Sequence, residues 1–455
     1  MRGPWGLPQG WRWERLGDVT GAPDRGFPCV RFPATFRYLD VSGIAGSRVD
    51  PRVVEAKDAP SRARQFVKPG DTVLSGVRVY LRNLALIGED SVDVASTAFC
   101  VLSPGAKVDP GYLYRWIGGD AFVDRLIPLQ RGNSPPAVLD DDVRDQFIPL
   151  PPTIQQQRQI VSRVNALFAE IDDGEAALAD ARAGVETYRK ALLKAAITGE
   201  LTADWRRDNP PTETGHDLLR RILTDRRARW KAEPENRHKK YTEPAGANAD
   251  EFPELPEGWC LAAVETVGDV QLGRQRAPQH HAGDDMRPYL RVANVLEARL
   301  DLRDVKLMNF TPTEYDRFRL LPGDVLLNEG QAPDLIGRPA LYRGEIAGCC
   351  FQKTLLRFRA WGPVAPEFAL VVFRQYMRSG RFRKEARITT NIGHLTQVRF
   401  APMEFPVPPW REQERIVGIV EAGEGVAADL PLSNLHAGEL RQSILSAAFR
   451  GELVS

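Results

Sequence analysis

The stretch FIPLPPTIQQQRQIV, residues 147–161, is decisive for the fold because a second version of it, FPVPPWREQERIV, occupies residues 405–417. In both versions a short apolar run reaches a pair of prolines, and a polar segment that ends in Ile-Val follows. A proline cannot continue a helix or a central strand, so the pair marks a boundary between elements. Each version therefore predicts that a helical segment begins after the prolines.

Further motifs repeat in the same order along the chain. The matched residues are Leu7 and Leu255 in the LPxGW motifs, Tyr38 and Tyr289, Pro69 and Pro322 in the Pro-Gly-Asp turns, Pro151 and Pro408, and Gly199 and Gly451 in the Gly-Glu-Leu motifs. Chance matching does not preserve the order of five pairs at nearly constant spacing. The chain is therefore predicted to contain two copies of one unit, each a domain followed by a helical segment.

The domain part of each copy has the pattern of a mixed α/β structure. Short apolar runs such as DTVLSG and TLLRFRA lie between glycine, proline and aspartate residues, which is typical of strands joined by turns. Helical stretches are fewer, and two of them, residues 110–126 and 366–386, resemble each other. The sequence therefore predicts an α/β (α+β) fold with two repeated domains, each containing a mixed β-sheet.

A heptad pattern follows the first proline pair. Apolar residues recur every seven positions, at Val164, Ile171, Leu178, Val185 and Leu192. This spacing predicts a long helix that packs against another helix, and the seam of the other copy is the obvious partner. In the second copy Pro431 interrupts the pattern, so two helical pieces are expected there, the last over about 433–449.

Composition bounds the function only loosely. The 455 residues include 61 Lys and Arg against 60 Asp and Glu, so a surface that attracts a polyanion must be local. Residues 201–240 are locally basic, with 11 Lys and Arg and 7 Asp and Glu. A solvated helix face and a contact with phosphates or an acidic partner both stay open as interpretations.

The chain shows no signal-peptide pattern after Met1 and no apolar run of the length that crosses a membrane, so we expect a cytoplasmic protein without membrane contact. Its five cysteines have no zinc-like spacing and are expected to be buried thiols in a reducing compartment. No metal site is predicted.

The tetrapeptide Asp208-Asn209-Pro210-Pro211 raises an enzymatic alternative, a DNA adenine methyltransferase or a fused restriction–modification enzyme. The residue that follows is Thr212, where such enzymes need an aromatic ring to stack on a base. A glycine-rich loop that would bind S-adenosylmethionine is also missing from the sequence. We therefore interpret the prolines as a linker, before a helix that begins with a capping box at Thr214 and Asp217.

The ordered motifs carry a family resemblance. The chain resembles the specificity subunit of Type I restriction–modification systems over essentially its whole length, through LPxGW at the start of each half, PLPP with QQQRQIV, VPP with EQERIV, AAITGELTADWR, and AAFRGEL. The resemblance implies target recognition domains at residues 1–150 and 253–407, spacer helices at 151–200 and 408–455, and a basic helical linker at 201–252.

The resemblance also implies a non-catalytic role in a complex. Each recognition domain would read one half of a split target in double-stranded DNA, and the spacer helices would pair as an antiparallel coiled coil that fixes the distance between the halves. Two methyltransferase subunits and the restriction (motor-nuclease) subunits would be the partners. The chain itself is expected to bind no cofactor, since S-adenosylmethionine, ATP and magnesium would belong to those partners.

Side chains that read bases are expected on loops and need paired donors and acceptors, as in Arg, Asn and Gln. The candidates in the first half are Arg78, Tyr80, Arg82, Asn83, Arg131 and Asn133. The candidates in the second half are Arg274, Gln275, Arg276, Asn328, Gln331, Arg338 and Asn391. The alternative for each one alone is a solvated surface side chain.

The beginnings of the two spacer helices are the predicted contact with the methyltransferase subunits. The residues named for this contact are Ile160, Val161, Ile416 and Val417. The alternative is that these residues pack only on their own recognition domain.

Overall fold

A computed structural model describes the chain except for residues 1–4, 24–33, 46–47, 90, 133–134, 248–251, 390, 430–435 and 454–455. The chain divides into two compact units. Unit 1 comprises residues 1–180 and 433–455, and unit 2 comprises residues 181–432. Each unit is therefore built from parts of both sequence repeats.

Unit 1 contains the first recognition domain. Its strands are β1 (Arg12–Arg15), β2 (Thr20–Gly21), β3 (Thr35–Leu39), β4 (Ile44–Ala45), β5 (Arg48–Val49), β6 (Arg52–Glu55), β7 (Ala63–Phe66), β8 (Thr72–Ser75), β9 (Leu84–Leu86), β10 (Val94–Ser96), β11 (Phe99–Pro104) and β12 (Phe147–Leu150). Its first four α-helices are α1 (Leu16–Val19), α2 (Pro110–Ile117), α3 (Asp120–Leu126) and α4 (Asp140–Arg144). The strands pair in the orders β1-β12, β6-β3-β10-β7, β2-β11-β8-β9 and β4-β5, with β10 parallel to β3.

The long helix α5 (Ile154–Thr198) begins in unit 1, and its residues from Ala181 onward belong to unit 2. Its heptad residues are buried towards both ends, with Val164 and Ile171 in unit 1 and Leu192 in unit 2. The prediction of one long helix after the first proline pair is confirmed.

Unit 2 contains the second recognition domain. Its helices are α6 (Ala203–Asp208), α7 (Gly215–Ala232), α8 (Val264–Val267), α9 (Pro312–Phe318), α10 (Pro366–Arg378), α11 (Arg381–Glu385), α12 (Gln397–Phe400) and α13 (Trp410–Asp429). Its strands are β13 (Cys260–Ala263), β14 (Gly268–Leu272), β15 (Met286–Leu290), β16 (Val295–Leu296), β17 (Arg299–Leu300), β18 (Lys306–Asn309), β19 (Asp324–Asn328), β20 (Gly330–Gln331), β21 (Pro339–Leu341), β22 (Cys350–Phe351), β23 (Leu355–Ala360), β24 (Arg387–Thr389), β25 (Ile392–His394) and β26 (Glu404–Val407).

The sheets of unit 2 repeat those of unit 1. The pair β13-β26 corresponds to β1-β12, and the order β14-β23-β19-β21 corresponds to β2-β11-β8-β9. The sheet β18-β15-β22 again contains a parallel pair, β15 with β22, beside an antiparallel one. Two smaller sheets, β16-β17 and β20-β25-β24, complete the unit. The prediction of a repeated mixed α/β domain is therefore confirmed.

The last helix, α14 (Ala437–Arg450), belongs to unit 1, although it comes from the second repeat. Its Phe449 packs edge-on against Tyr112 and Trp116 of α2, with ring centroids 5.1 and 4.9 Å apart. Its Arg441 forms an ion pair with Glu175 of α5, with 2.7 Å between the nitrogen and the carboxylate oxygen. The expected break between two helical pieces is present, since α13 ends at Asp429 and α14 begins at Ala437; Pro431 itself lies outside the described residues.

In unit 2 the end of α5 packs antiparallel to α13. Near the start of α13, the buried Glu412 accepts a hydrogen bond from the hydroxyl of Thr202, just beyond α5, at 2.6 Å. Near the end of α13, Glu424 pairs with Arg189 of α5 at 3.3 Å and with Arg374 of α10 at 2.8 Å. Ion pairs and apolar packing thus connect both helices to the recognition domain.

Both spacer helices end in the same way, at a glycine packed against a proline. Gly199 follows α5 at φ +77°, and Gly451 follows α14 at φ +79°. A Cβ at either position would lie 2.4 Å from Cγ of Pro256 or of Pro8, respectively. The left-handed backbone and the close approach both require glycine. The Gly-Glu-Leu motif that ends each repeat therefore packs on the Leu-Pro motif that opens a repeat.

A buried glutamine fixes the start of the spacer helix in unit 1. Gln157, in the first turn of α5, is 1% exposed. Its side-chain oxygen accepts the backbone N–H of Asp109 at 2.8 Å, and its side-chain nitrogen donates to the carbonyl of Lys107 at 2.9 Å. Asp109 is the N-cap residue of α2, so one amide joins α5 to the loop that starts α2.

Gln413 makes the same contacts in unit 2, where it is fully buried in α13. Its oxygen accepts the backbone N–H of Ala365 at 2.9 Å, and its nitrogen donates to the carbonyls of Pro363 at 3.3 Å and Pro408 at 3.0 Å. Ala365 is the N-cap residue of α10. The glutamine shared by QQQRQIV and REQERIV is therefore explained by this pairing.

The cysteines that the structure describes are buried thiols that form no disulfide with one another. Burial raises the pKa of the thiols of Cys260, Cys349 and Cys350 to about 12, which keeps them protonated at neutral pH. Cys29 lies outside the described residues. In the described part of the chain, no helix combines the length and the hydropathy that spanning a membrane requires.

We predict that Gln413→Ala lowers the free energy of unfolding of unit 2 by about 1–3 kcal/mol, because the buried N–H of Ala365 loses its acceptor. Urea unfolding followed by circular dichroism measures the change. Glu414→Ala is the matched control, since Glu414 is exposed on the next position of α13 and should change the free energy by less than about 0.5 kcal/mol. Equal effects of the two substitutions would contradict the role assigned to the glutamine.

Candidate nucleic-acid interface

A short hairpin lies beside the end of β8 in unit 1. Val77, two residues after this strand, forms an antiparallel bridge with Ala137, and Ala137 forms a second one with Arg131. The backbone N–H of Arg78 donates to the carbonyl of Pro136 at 2.9 Å. We call residues 131–132 and 135–137 the unit 1 hairpin.

Unit 2 has the same arrangement in a more regular form. β20 follows β19 in the same way that Val77 follows β8. β20 pairs antiparallel with β25, and β25 in turn pairs antiparallel with β24. The strands β24 and β25, with Asn391 just before β25, form the unit 2 ribbon, residues 387–389 and 391–394. The hairpin comes after the helices α2 and α3 in the first recognition domain, and the ribbon comes after the helices α10 and α11 in the second. The repeat therefore places equivalent segments at equivalent positions.

Two of the candidates in unit 1 are free to meet a partner. Arg78 is exposed with a left-handed backbone at φ 50°, and Tyr80 is 48% exposed on the turn that follows. Arg82 is held in place, since its guanidinium donates to the carboxylate of Asp120 and to the carbonyl of Gly118 at 3.1 Å.

The remaining candidates in unit 1 lie close by. Asn83 is partly buried. Arg131, on the unit 1 hairpin, is exposed and forms a two-bonded ion pair with Asp142, which lowers the pKa of that carboxyl group chiefly through the hydrogen bond. Asn133 lies outside the described residues.

In unit 2 the candidates that follow β14 differ from one another. Arg274 is 6% exposed, pairs with Glu314 at 2.7 Å and lies over the ring of Phe310. These contacts occupy its guanidinium inside the unit. Gln275 and Arg276 are exposed, and Nε of Arg276 donates to His281 at 3.0 Å.

The other candidates in unit 2 surround β20. Asn328 is not on a loop as expected; it is the last residue of β19, fully buried, and its amide atoms have no hydrogen-bond partner among the described residues. Arg338 is partly buried, which lowers its pKa. Gln331, on β20, is partly buried, and Asn391 is exposed at the tip of the unit 2 ribbon.

The structure places Gln331, on β20, and Asn391, in the turn just before β25, at the same small sheet, which the sequence did not reveal. It also places Arg387 and Ile392 on the unit 2 ribbon, two residues that were not among the candidates. The internal repeat is the signal that could have found them, because residues 387–389 and 391–394 occupy the place of the segment that contains Arg131. The DNA contacts of all these residues stay predictions.

The residues predicted to bind a methyltransferase subunit lie mostly inward. Ile160 and Ile416 are 2% and 0% exposed and belong to the apolar cores of units 1 and 2. Val161 and Val417 are partly buried and pack against the same cores. Packing on their own unit therefore accounts for these four side chains, and a contact with a partner through them stays a prediction.

The basic helix α7 is attached to unit 2 by several of its arginines. Arg226 donates to the backbone carbonyl of Glu265, and Arg229 lies over the ring of Trp361 at 4.9 Å. Its predicted capping box is present, since Thr214 accepts the N–H of Asp217. Part of the local positive charge therefore serves the attachment of the linker.

The Asn-Pro-Pro segment terminates the helix α6. The side-chain amide of Asn209 donates to the carbonyl of Trp205 at 2.8 Å, so it satisfies a free carbonyl at the end of this helix. Pro210, Pro211 and Thr212 line a cavity of about 260 Å³ together with Trp410. Among the described residues, no group of three or more His, Cys, Asp or Glu side chains is placed to hold a metal ion.

Comparison with known proteins shows which class this repeated architecture resembles. No protein-family profile matches the chain. The chain is similar to the specificity subunit of the Type I restriction enzyme EcoDI of Escherichia coli, with 26% identity over 228 residues, which cover 49% of this chain and 50% of the relative. The match thus spans about half the length of that curated relative.

Two solved structures resemble the chain over nearly its full length. One is the HsdS subunit of Thermoanaerobacter tengcongensis, with 26% identity, a TM-score of 0.64 and 99% of each chain covered. The other comes from work on complex assembly and conformational transition of the type I R-M system, with 25% identity, a TM-score of 0.72, and 99% of this chain and 100% of that chain covered. The chain is thus similar in sequence and in fold to Type I specificity subunits, as its motifs indicated.

Proposed function

We propose that this chain is the sequence-specific DNA-recognition subunit of a Type I restriction–modification complex. It binds a bipartite target in double-stranded DNA, one half with each unit, and catalyses no reaction itself. One observation carries this proposal: both units present the same arrangement, a central strand whose following residues pair with a hairpin that carries exposed Arg or Asn side chains. Two equivalent readers on one chain suit a target with two halves.

The partners follow from the same proposal. The chain positions two adenine methyltransferase subunits and the motor-nuclease subunits on the target, in the cytoplasm. S-adenosylmethionine, ATP and magnesium act on those subunits. The similarity to specificity subunits and to a chain of the type I R-M system supports this assignment.

The alternative of a methyltransferase enzyme has less support. Asn209 is engaged with the end of its own helix, and Thr212 stands where an aromatic ring would be needed. Incubation of the purified chain with labelled S-adenosylmethionine and DNA decides between the two functions. Label transfer by the chain without partner subunits would favour the enzyme.

We predict that the two units read their half-sites independently. Replacement of residues 1–150 by the recognition domain of another specificity subunit should change one half of the methylated sequence and leave the other half intact, because the second recognition domain lies entirely in unit 2. Methylome sequencing of strains that express the parent or the hybrid chain measures both halves. A change in both halves would contradict independent readers.

We predict that Arg78→Ala and Arg82→Ala have different consequences. Arg78 is free and exposed, so its loss should weaken cognate DNA binding by the assembled complex by about 1–3 kcal/mol and leave folding unchanged. Arg82 is tied to Asp120 and Gly118, so its loss should chiefly lower the thermal stability of unit 1. Fluorescence anisotropy and thermal unfolding distinguish the two effects, and a reversed pattern would refute the assignment.

A further inference from the structure

The unit 2 ribbon has a defined inner and outer face. Residues directly opposite each other on paired antiparallel strands share a face. Ile388 lies opposite Gly393, and a Cβ at Gly393 would be 2.0 Å from Cδ1 of Ile336, which is 1% exposed. At Gly393 this face therefore rests on the body of unit 2, and glycine permits the close approach. Ile388, on the same face, is still 45% exposed.

The other face of the ribbon points away from the unit. It carries Arg387, opposite His394, and Thr389, opposite Ile392. Every residue of β24 is exposed, and Ile392 is 51% exposed. The outer face therefore offers an apolar side chain, Ile392, beside the polar Arg387 and Thr389.

The free end of the ribbon extends past its third strand. β20 pairs with β25 only at Gly393 and His394, so Ile392 and Asn391 lie beyond the last paired residue. His394 is tethered at the base, where its Nδ1 lies 3.3 Å from the carboxylate of Glu329. The tip therefore projects, and the base is fixed.

The stretch of sequence that contains the ribbon is rich in basic residues. Residues 378–399 contain six Lys and Arg and one acidic residue, Glu385. Several of these cations are paired within the unit, for example Arg381 with Glu404 at 2.7 Å. Arg387 has no ion-pair partner in the part of the chain that the structure describes, and it lies on the outer face. The charge is complementary to a polyanion.

We propose that the unit 2 ribbon enters a groove of the DNA and is the base-contacting element of unit 2. The assignment rests on the proposed function and adds the residues that perform it. The major groove, about 12 Å wide, admits a two-stranded β-ribbon. Asn391 at the tip hydrogen-bonds a base edge, Ile392 contacts a thymine methyl group, and Arg387 meets a phosphate.

The internal repeat supports the assignment independently. The unit 1 hairpin occupies the corresponding place in the other recognition domain, and it carries Arg131 at the position where β24 begins. Each of the two segments thus carries an exposed arginine, Arg131 in unit 1 and Arg387 in unit 2. The alternative occupant of the outer face is a protein subunit of the complex, and the experiment distinguishes the two.

The test uses the full chain assembled with its methyltransferase subunits, and a duplex that contains both half-sites found by methylome sequencing. We expect Asn391→Ala and Ile392→Ala each to weaken cognate binding by roughly 5–150-fold and to relax the sequence requirement in one half-site only. Arg387→Ala should weaken binding to all sequences and reduce the slope of log affinity against log salt concentration by about one. Fluorescence anisotropy at several salt concentrations measures these changes.

Matched controls come from the same unit. Leu307→Ala removes an apolar side chain that is 58% exposed on β18, and Arg299→Ala removes an exposed arginine on β17. Both should bind DNA as the parent chain does. Unchanged thermal unfolding midpoints of all five variants show that folding is retained.

Three results would overturn the inference. Ribbon variants that bind like the controls, in a complex whose parent chain is sequence-specific, would refute the ribbon and leave the proposed function intact. Variants that lose the methyltransferase subunits on co-purification would assign the outer face to a protein contact. A parent complex without any sequence preference would refute the proposed function itself.

Discussion

The buried amide of Gln157, repeated in Gln413, is the interaction on which the position of each spacer helix depends. One side chain satisfies a backbone N–H and a carbonyl in the loop that starts the main helix of the recognition domain. Buried backbone groups without partners are costly, so the loop and the spacer helix must keep one relative position. The proline pair just before each glutamine ends the preceding strand and sets the direction in which the helix starts. A motif that looks merely polar in the sequence is therefore the joint between a recognition domain and its helix.

The large-scale organisation could be predicted from the sequence because it depends on repeated local signals. The proline pairs, the heptad spacing of α5 and the matching Gly-Glu-Leu ends each leave a pattern in the sequence. The division into units could not be predicted in the same way. That α14 packs on α2 depends on contacts such as Phe449 with Trp116, which join residues more than 300 positions apart. No local pattern contains that information.

The candidate interface shows a similar limit. Residue type identified side chains that are able to read bases, but in the structure some of them are buried. Arg274 is buried in an ion pair with Glu314, and Asn328 is buried at the end of β19. The ribbon was missed because strands of three residues give almost no periodic signal, and its register depends on pairing with β20. Ile392 was not a candidate because base reading was expected from side chains with paired donors and acceptors, which isoleucine lacks. Its exposure is visible only once the fold is known.

Unit 1 is built from two separate stretches of the chain, and this has a consequence for how the chain folds during synthesis. Unit 2 is contiguous, so all of its contacts can form as soon as residue 432 has left the ribosome. Unit 1 needs α14, which is made after the whole of unit 2, and until then the surface of Trp116 and Tyr112 that receives Phe449 stays uncovered. The first domain to be translated is thus the last to be completed, in contrast to the usual order along a chain. Aromatic rings that stay exposed on an incomplete domain favour association with other chains. We therefore expect chaperones to bind mainly to unit 1 during translation.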